Sequence, residues 1–325
     1  MHVLIIGAAG MLGRKLFARL SAAPCLDGQR VERCTLCDAV AVPTPPDSPV
    51  TSQSIVGDLS QPGVADQLLA QRPDVIFHLA AVVSGEAEQD FDKGYHINLD
   101  GTRQLLEAAR RAGNVPRLIF ASSIAVYGRP FPEPIPDDYH LTPLTSYGTQ
   151  KAICELLISD YTRKGMIDGL ALRLPTICVR PGKPNAAASG FFSSIIREPL
   201  AGQTAILPVD DDVLHWHASP RAAVEYFLHA STLTASQLGP HRSLTMPGIA
   251  VTVGEQIAAL ERVAGPQFSQ RIVRQPDPFV QAIVAGWPRR FNADRATALG
   301  FRCEASFDDI IRVFIDDELH GRVAG

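Results

Sequence analysis

Two features are absent from this chain of 325 residues: a long apolar run and a cluster of basic residues. No stretch approaches the ~18 consecutive apolar residues that a membrane-spanning helix requires. Lysine and arginine number 30 against 34 acidic residues, and they are scattered along a chain whose net charge is −4. We therefore expect no membrane partner and no nucleic-acid partner.

Cysteines are few, and their spacing lacks the regularity of a secreted disulfide framework. With six cysteines in the chain, a reducing cytoplasm is the expected compartment. Cys34 and Cys37 form a C-x-x-C motif, which could be a redox pair or half of a zinc site. In the predicted strand they would point to opposite faces, and no second ligand pair follows. Buried packing is the better interpretation, and no metal site is predicted.

Short apolar or β-branched runs alternate with helical patterns through the first half of the chain. The runs are 2–6, 31–37, 54–57, 74–79, 117–122 and 169–174. The helical patterns lie near 11–23, 61–71, 96–113 and 145–165. This alternation predicts an α/β fold, a Rossmann-type doubly wound parallel sheet with helices on both faces. The regularity fails beyond about Pro175, so we predict a dinucleotide-binding domain over 1–175 and a smaller C-terminal α/β substrate lobe over 176–325.

A glycine motif follows the first predicted strand and enters the first predicted helix. Gly7, Gly10 and Gly13 have the spacing G-x-x-G-x-x-G. Glycines let a turn pass close to a pyrophosphate, and the helix that follows offers free N–H groups, here near Met11 and Leu12. The context of strand, glycine turn and helix predicts a dinucleotide site, with a merely tight turn as the alternative.

Asp38 closes the next long strand, where a carboxylate can accept hydrogen bonds from an adenosine ribose. A 2′-phosphate would be repelled there and no arginine follows, so NAD is predicted over NADP; an ordinary strand-ending aspartate is the alternative. Further cofactor contacts are predicted after the next two strands and in the following helix, at Asp58, Leu59, Leu79, Ala80, Ala81 and Asn98. Asn98 is expected to satisfy backbone groups near the helix predicted over 145–165, and His78 is expected to pack.

Tyr147 and Lys151 stand four residues apart at the start of a predicted helix, so their side chains share one helical face. A phenol has a reference pKa of about 10 and is a poor base at neutral pH. A neighbouring cation favours the phenolate, and the pair can then move a proton to or from a substrate hydroxyl. Ser123 ends the fifth predicted strand and could hold the same substrate oxygen.

Together, the glycine motif, Tyr147 with Lys151 and the segment SSIAVYG at 122–128 resemble the extended short-chain dehydrogenase/reductases, the NAD-dependent epimerase/dehydratase family. The resemblance covers about the first 230 residues well. It implies that NAD is the cofactor, that Ser123 is the catalytic serine and that Ser122 is structural.

The same resemblance implies further roles for this chain. Lys151 would bind the nicotinamide ribose as well as lower the pKa of Tyr147. Leu174, Pro175 and Thr176 would line the nicotinamide, mostly through their backbone. Members of the family are commonly dimers, so a homodimer is expected, with a face supplied by helices 96–113 and 145–165.

The commonest substrates of this family are nucleotide-diphospho-sugars, whose pyrophosphate is held by the arginine of a segment like R-D-[FY]-[VI]-[HY]-V-x-D. The matching stretch here places Val213 at the arginine position and replaces both acids. A pyrophosphate left without that partner would bind poorly, which favours a smaller substrate. The segments LRLPTICVRPGKPNAAASGFF and HWHASPRAAVE resemble members of the family that oxidise the C2 hydroxyl of a four-carbon sugar acid with NAD.

A sugar acid needs a cation for its carboxylate and polar groups for its hydroxyls. Arg180 and Arg197 are the candidate cations, although an ordinary surface salt bridge would explain each of them equally well. The other predicted substrate contacts are Ser84, Ser123, Tyr147, Phe191, Trp216 and His217.

Three alternatives stay open beside a sugar-acid dehydrogenase. The first is an epimerase or dehydratase of nucleotide sugars that retains NAD, and the second is a uronate-type sugar dehydrogenase. A dehydratase usually carries an acid pair beside its catalytic serine, where this chain has Ile124 and Ala125. The third is a non-catalytic NAD-binding protein, which the intact Ser123, Tyr147 and Lys151 disfavour.

Overall fold

The computed structural model describes residues 1–45, 48–182 and 189–324. Contacts within the chain define two units. Unit 1 comprises Met1–Val126, Thr145–Arg173 and Val224–Leu244, and unit 2 comprises Tyr127–Leu144, Leu174–Ala223 and Thr245–Gly325. Each unit consists of three separate segments of the chain, whereas each predicted domain is one continuous segment. The domain boundary after residue 175 stays a prediction.

The regular elements within these ranges are as follows. The strands are β1 (His2–Ile6), β2 (Cys25–Leu26), β3 (Gln29–Arg30), β4 (Arg33–Asp38), β5 (Thr51–Val56), β6 (Val75–His78), β7 (Arg117–Ser123), β8 (Asp168–Leu174), β9 (Thr176–Ile177), β10 (Ala205–Leu207), β11 (Leu214–Ala218), β12 (Ser243–Thr245), β13 (Ile249–Thr252) and β14 (Ile272–Arg274). The helices are α1 (Met11–Ala22), α2 (Val64–Ala70), α3 (Ser84–Gln89), α4 (Phe91–Gly94), α5 (Gly101–Ala112), α6 (Ser146–Arg163), α7 (Gly190–Leu200), α8 (Pro220–Thr232), α9 (Ala235–Leu238), α10 (Val253–Ala264), α11 (Pro266–Ser269), α12 (Pro278–Ala285), α13 (Asp294–Ala298) and α14 (Phe307–Leu319). A π-helical turn covers Tyr95–Asp100, and a 3-10 turn covers Ile124–Val126.

The largest sheet has seven strands in the order β12-β8-β7-β6-β1-β4-β5. Strand β1 lies in the interior of the sheet and pairs in parallel with β4 and β6. On one face, Leu4 of β1 packs with residues of α2, α5 and α6. On the other face, Phe77 of β6 contacts Phe227 of α8. Helices on both faces of a parallel sheet confirm the predicted Rossmann-type fold.

Two elements differ from the sequence prediction. The predicted strand 54–57 begins earlier, at Thr51, because β5 is an edge strand in which only Ile55 is buried and the polar first half gives no apolar signal. The predicted helix 96–113 consists of the π-helical turn and α5, and it is preceded by α3 and α4, which the sequence analysis missed. Both of these helices are short and polar, so they carry no apolar period.

The C-x-x-C motif lies within β4, and both of its side chains are buried. Burial raises the pKa of the Cys34 thiol to about 12 and that of Cys37 to about 11. Neither thiol is a thiolate at neutral pH, and the predicted buried packing is confirmed. Among the described residues, no helix is long and apolar enough to span a membrane.

Unit 2 contains smaller sheets around a core of its own. Strand β11 pairs antiparallel with β13 and parallel with β9, and β10 pairs in parallel with β14. The apolar faces of α7, α10 and α14 form the core of this unit, with Phe192, Leu260 and Phe314 among the buried residues.

Candidate active site

The turn between β1 and α1 can be built only with glycine at two positions. Gly7 has φ +88°, and a Cβ there would lie 2.5 Å from the backbone nitrogen of Ala80. A Cβ at Gly13 would overlap the carbonyl oxygen of Gly7. Gly10 is the N-cap of α1 and provides no capping side chain, so the N–H groups of the first turn, which have no partner inside a helix, stay available to a ligand. This cradle fits a pyrophosphate, because it joins a close backbone approach to a helix N-terminus.

Asp38 is the last residue of β4 and lies beside this glycine turn. Its Oδ2 accepts a 2.8 Å hydrogen bond from the backbone N–H of Ala9. The same strand holds the turn through the carbonyl of Cys37, which accepts hydrogen bonds from the N–H groups of Gly7 and Ala8. The Asp38 carboxylate therefore lies at the carboxyl end of β4 beside the glycine turn, where it could accept hydrogen bonds from an adenosine ribose.

The other predicted cofactor residues of unit 1 follow the neighbouring strands. Asp58 follows β5, and its carboxylate accepts hydrogen bonds from the backbone and hydroxyl of Ser60. Burial acts to raise the pKa of Asp58, but these hydrogen bonds outweigh it and the pKa is lowered. Leu59 is buried, whereas Leu79, Ala80 and Ala81, directly after β6, are partly exposed.

Asn98 lies in the π-helical turn and joins the loop after β6 to helix α6. Its Oδ1 accepts from the N–H of Val82 at 2.8 Å, and its Nδ2 donates to Gln150 Oε1 of α6 at 2.7 Å. The expectation that Asn98 satisfies backbone groups near this helix is thereby met. His78 is also buried, and its Nε2 lies 2.9 Å from the hydroxyl of Thr102, so the ring packs as expected.

The start of α6 places Tyr147. Thr145 caps the helix by accepting a hydrogen bond from the N–H of Gly148. A Cβ at Gly148 would overlap the carbonyl oxygen of Ala125, so a glycine is required where α6 approaches the 3-10 turn after Ser123. The partly exposed Tyr147 is thus carried into the neighbourhood of that turn.

Lys151 lies one turn further along α6 and is almost completely buried. Its Nζ donates a 2.8 Å hydrogen bond to the carbonyl of Ala121 on β7. The same Nζ lies 4.5 Å from the ring centroid of Phe120 and 5.5 Å from that of Tyr147. Burial lowers the pKa of Lys151 to about 8, so at neutral pH the side chain is mainly an ammonium, which favours the Tyr147 phenolate.

The two serines at the end of β7 have different surroundings. Ser123 is partly exposed, and its hydroxyl oxygen accepts a 3.1 Å hydrogen bond from the N–H of Ala125. Ser122 is buried, and its hydroxyl donates at 2.5 Å to Glu155 of α6. Glu155 in turn forms an ion pair with Arg173 of β8. The contacts of Ser122 are those of a structural residue, whereas the partly exposed side chain of Ser123 is accessible to a ligand.

Five predicted substrate contacts belong to unit 2, and Ser84, the first residue of α3, belongs to unit 1. The guanidinium of Arg180 donates to the Ser189 hydroxyl at 2.8 Å. Arg197 forms an ion pair with the adjacent Glu198 at 2.6 Å and donates to the carbonyl of Arg180 at 2.7 Å. Phe191 is buried in α7.

The two remaining members of this set lie on β11. Trp216 donates from its indole N–H to the carbonyl of Met246. His217 has 0% exposed surface, and its Nε2 lies 2.9 Å from the side-chain amide nitrogen of Gln256. Burial, with the positive charge of Arg180 as a smaller cause, lowers the pKa of His217 well below its usual value. The ring is therefore neutral and turned into the protein interior.

Three residues predicted to line the nicotinamide follow Arg173 without a break. Leu174 ends β8, Pro175 follows it, and Thr176 begins β9. The Thr176 hydroxyl lies 2.6 Å from Nε2 of His215, so its side chain is engaged within unit 2 and its backbone pairs with His217 of β11.

Three residues without a predicted role contact a predicted site residue or its neighbour: Glu155, Arg173 and Gln150. One signal was available for Glu155: it follows Lys151 by four residues, so it extends the face that carries Tyr147 and Lys151. Nothing in the sequence indicates its partner, because Arg173 lies on another strand.

Comparison with known proteins gives relatives along nearly the whole chain. D-erythronate dehydrogenase of Cupriavidus necator is 50% identical over 322 residues, which cover 98% of this chain and 98% of that protein. D-erythronate dehydrogenase of Haemophilus influenzae is 42% identical over 319 residues, which cover 98% and 100%.

Solved structures resemble this chain as well. A protein of Agrobacterium tumefaciens described as a nucleoside-diphosphate-sugar epimerase superposes with a TM-score of 0.97 at 56% identity, covering 100% of this chain and 96% of its own. The GalE-like L-threonine dehydrogenase of Cupriavidus necator shares the fold, with a TM-score of 0.84 at 21% identity and coverage of 98% and 99%. The family profile named NAD dependent epimerase/dehydratase matches residues 3–230. The chain belongs to the NAD-dependent epimerase/dehydratase family.

Proposed function

We propose that this protein is an NAD-dependent dehydrogenase that oxidises the C2 hydroxyl of D-erythronate, or of a closely related four-carbon sugar acid, to the 2-keto acid. The proposed substrate rests on the similarity to two D-erythronate dehydrogenases, which are 50% and 42% identical over almost the full length. The buried Lys151 next to Tyr147, with Ser123 at the end of β7, supports the chemistry.

The three proposed catalytic residues have distinct roles in the reaction. Bound NAD supplies the acceptor for the hydride that leaves C2. Tyr147 takes the proton of the C2 hydroxyl as its general base, and the Lys151 ammonium favours the phenolate form that this requires. Ser123 donates a hydrogen bond to the same oxygen, which becomes the carbonyl oxygen of the product.

The cofactor site that we propose combines the glycine cradle with the residues around it. Gly7, Gly10 and Gly13 would admit the pyrophosphate, and Asp38 would bind the adenosine ribose. The further contacts proposed are Met11, Leu12, Asp58, Leu59, Leu79, Ala80, Ala81, Asn98, Tyr147, Lys151, Leu174, Pro175 and Thr176. NAD is proposed over NADP because a carboxylate at Asp38 would repel a 2′-phosphate.

For the substrate carboxylate we propose Arg180. Arg197 is already neutralised by its ion pair with Glu198 at 2.6 Å, and breaking a largely buried pair to bind a ligand would cost free energy. Arg180 donates a hydrogen bond to the Ser189 hydroxyl at 2.8 Å, and in sequence it lies only four residues after Thr176, the last of the proposed nicotinamide contacts. Ser84, Phe191 and Trp216 stay in the proposal as further substrate contacts, whereas the buried ring of His217 makes a direct contact less favourable.

An epimerase of nucleotide sugars is the second candidate, because the Agrobacterium structure at 56% identity is described as one. The arginine that holds the pyrophosphate in such enzymes has no equivalent at Val213. If the segment is aligned on His215 instead, the arginine position falls at Asp211, whose carboxylate is paired with Arg274 at 2.6 Å. Neither alignment offers a cation for a pyrophosphate.

One assay separates the candidates. The purified protein is mixed with NAD and D-erythronate, and NADH absorbance is followed; UDP-glucose and the neutral alcohol erythritol are tested in parallel. We expect NADH to form with D-erythronate and far more slowly with erythritol. Product formed from UDP-glucose without net NADH would support the epimerase, and NAD binding without turnover of any substrate would support a non-catalytic protein.

A homodimer is also proposed, through the exposed faces of α5 and α6. Leu156 of α6 is 66% exposed, which a contact with a second copy would explain. The cytoplasmic location stays a prediction from the pattern of cysteines.

A further inference from the structure

Tyr147, Lys151 and Glu155 follow one another at intervals of four residues on α6. Their side chains therefore leave the helix on one side. Lys151 and Glu155 reach adjacent residues of β7: Nζ donates to the carbonyl of Ala121 at 2.8 Å, and Oε1 of Glu155 accepts from the hydroxyl of Ser122 at 2.5 Å. The residue after Ser122 is the proposed catalytic Ser123. Two side chains of α6 therefore form hydrogen bonds with β7 immediately before that serine.

Glu155 is held from a second direction by Arg173 of β8. The Arg173 Nε lies 3.1 Å and 3.0 Å from the two carboxylate oxygens, and its Nη2 lies 2.7 Å from Oε2. The side chain of Glu155 is 2% exposed and that of Arg173 is 9% exposed. A carboxylate at this depth is stable only with several donors. One carboxylate therefore joins α6, β7 and β8.

The negative charge of Glu155 also acts on the neighbouring Lys151. The titratable groups that face Lys151 from the described residues are Tyr147, Cys154 and Glu155 of its own helix and His78 of β6. Burial lowers the pKa of His78 to about 3 and raises the pKa of Cys154, so both are neutral at pH 7. Burial also lowers the pKa of Lys151, and Glu155 acts against that lowering.

We infer that Glu155 is a positioning residue, which fixes the end of β7 that carries Ser123 against the catalytic helix and supplies the negative charge beside Lys151. The catalytic part of this inference rests on the proposed function. The electrostatic part does not, because Lys151 is expected to bind the nicotinamide ribose whatever the substrate is.

The test is Glu155→Gln in the full-length protein, which keeps the shape and one acceptor oxygen but removes the charge and replaces the other oxygen with an NH2 donor. The Kd for NAD is measured by calorimetry between pH 6 and pH 10. We expect the pH at which NAD affinity declines to fall by roughly one unit, because the ammonium loses its neighbouring anion. With D-erythronate, kcat should fall at least ~10-fold while KM changes less than ~3-fold, because Ser123 is misplaced after the substrate has bound.

Asp168→Asn is the matched control, at the opposite end of β8 from Arg173. Asp168 pairs with Arg117 at 2.6 Å and with Arg242 at 2.8 Å. This variant should lower Tm and leave both the pH midpoint for NAD and kcat unchanged. If Glu155→Gln lowers Tm in the same way and shifts neither quantity, Glu155 has only a structural role and the inference is overturned.

One further result separates the role of Glu155 from the proposed function, and a second variant serves if the first does not fold. A shifted pH midpoint for NAD in a protein that does not oxidise D-erythronate would support the electrostatic role and reject the proposed substrate. If Glu155→Gln does not fold, Ser122→Ala removes only the 2.5 Å hydrogen bond. It should lower kcat ~3-fold to 10-fold with the pH midpoint for NAD unchanged, and an unchanged kcat would overturn the positioning role.

Discussion

The ammonium of Lys151 donates a 2.8 Å hydrogen bond to the carbonyl oxygen of Ala121, which lies on β7 two residues before Ser123. This bond connects two segments that are far apart in sequence, helix α6 and strand β7, which ends at the proposed catalytic serine. It also fixes the ammonium near the ring of Tyr147. The lysine that favours the phenolate is thus part of the contact that sets the geometry of the site.

Tyr147→Phe should preserve the fold and NAD binding and remove most of the turnover. The ring remains and only the phenolic oxygen is lost, so the proton has no acceptor. General-base catalysis contributes about 10²-fold to 10⁴-fold, and kcat for D-erythronate should fall by at least ~100-fold. Steady-state kinetics and NAD calorimetry check this, with Tyr139→Phe as the control, since its hydroxyl binds the Pro130 carbonyl. A variant that keeps more than a tenth of the rate would require another base.

Much of the proposed NAD-binding site can be predicted from the sequence. Gly7 and Gly13 lie so close to other backbone atoms that a Cβ at either position would clash. Only glycine fits there, so the requirement can be recognised in the sequence as a motif. Tyr147 and Lys151 are close because one helix turn brings them together.

Other features depend on contacts between distant segments. Arg197 donates to the carbonyl of Arg180, 17 residues earlier, and no spacing rule in the sequence predicts that contact. His217 alternates along β11 with Trp216, yet packing with Phe192 and Phe307 makes it an interior residue. Burial of this kind depends on the tertiary core, which a local sequence pattern does not record.

Asp38→Ala should weaken NAD binding and reduce the discrimination against NADP. The substitution removes an acceptor for the ribose hydroxyls and also the bond to the Ala9 N–H at 2.8 Å. We expect wild-type kcat/KM to be higher with NAD than with NADP, and the ratio to fall at least ~10-fold in the variant. Equal efficiency of the wild-type protein with the two cofactors would contradict the role of Asp38.

Arg180→Ala should raise KM for the sugar acid while NAD affinity stays unchanged. Loss of a charged hydrogen-bonding pair costs about 2–4 kcal/mol, which corresponds to roughly a 30-fold to 1,000-fold rise. Arg197→Ala is the comparison: it breaks the pair with Glu198 and should lower Tm more than it raises KM. If Arg197→Ala raised KM and Arg180→Ala did not, the assignment would be reversed.

His78 should make the protein less stable in acid. Burial, with the charge of Lys151 as a smaller cause, lowers the pKa of His78 from 6.5 to about 3. Between these values the unfolded chain binds a proton that the folded protein does not, so stability is present above pH 6.5 and is lost as the pH falls toward 3. At pH 5 the loss from this residue is roughly 2 kcal/mol.

His78→Gln isolates that contribution, because glutamine does not titrate and can still bond to the Thr102 hydroxyl, which lies 2.9 Å from the histidine ring. Urea unfolding of both proteins at pH 7 and pH 5 gives the difference in their free energies of unfolding. The other titrating groups are common to both proteins and cancel. We expect the advantage of the wild-type protein at pH 7 to shrink by roughly 2 kcal/mol at pH 5. A difference that is the same at both pH values would show that His78 is protonated in the folded protein as easily as in the unfolded chain.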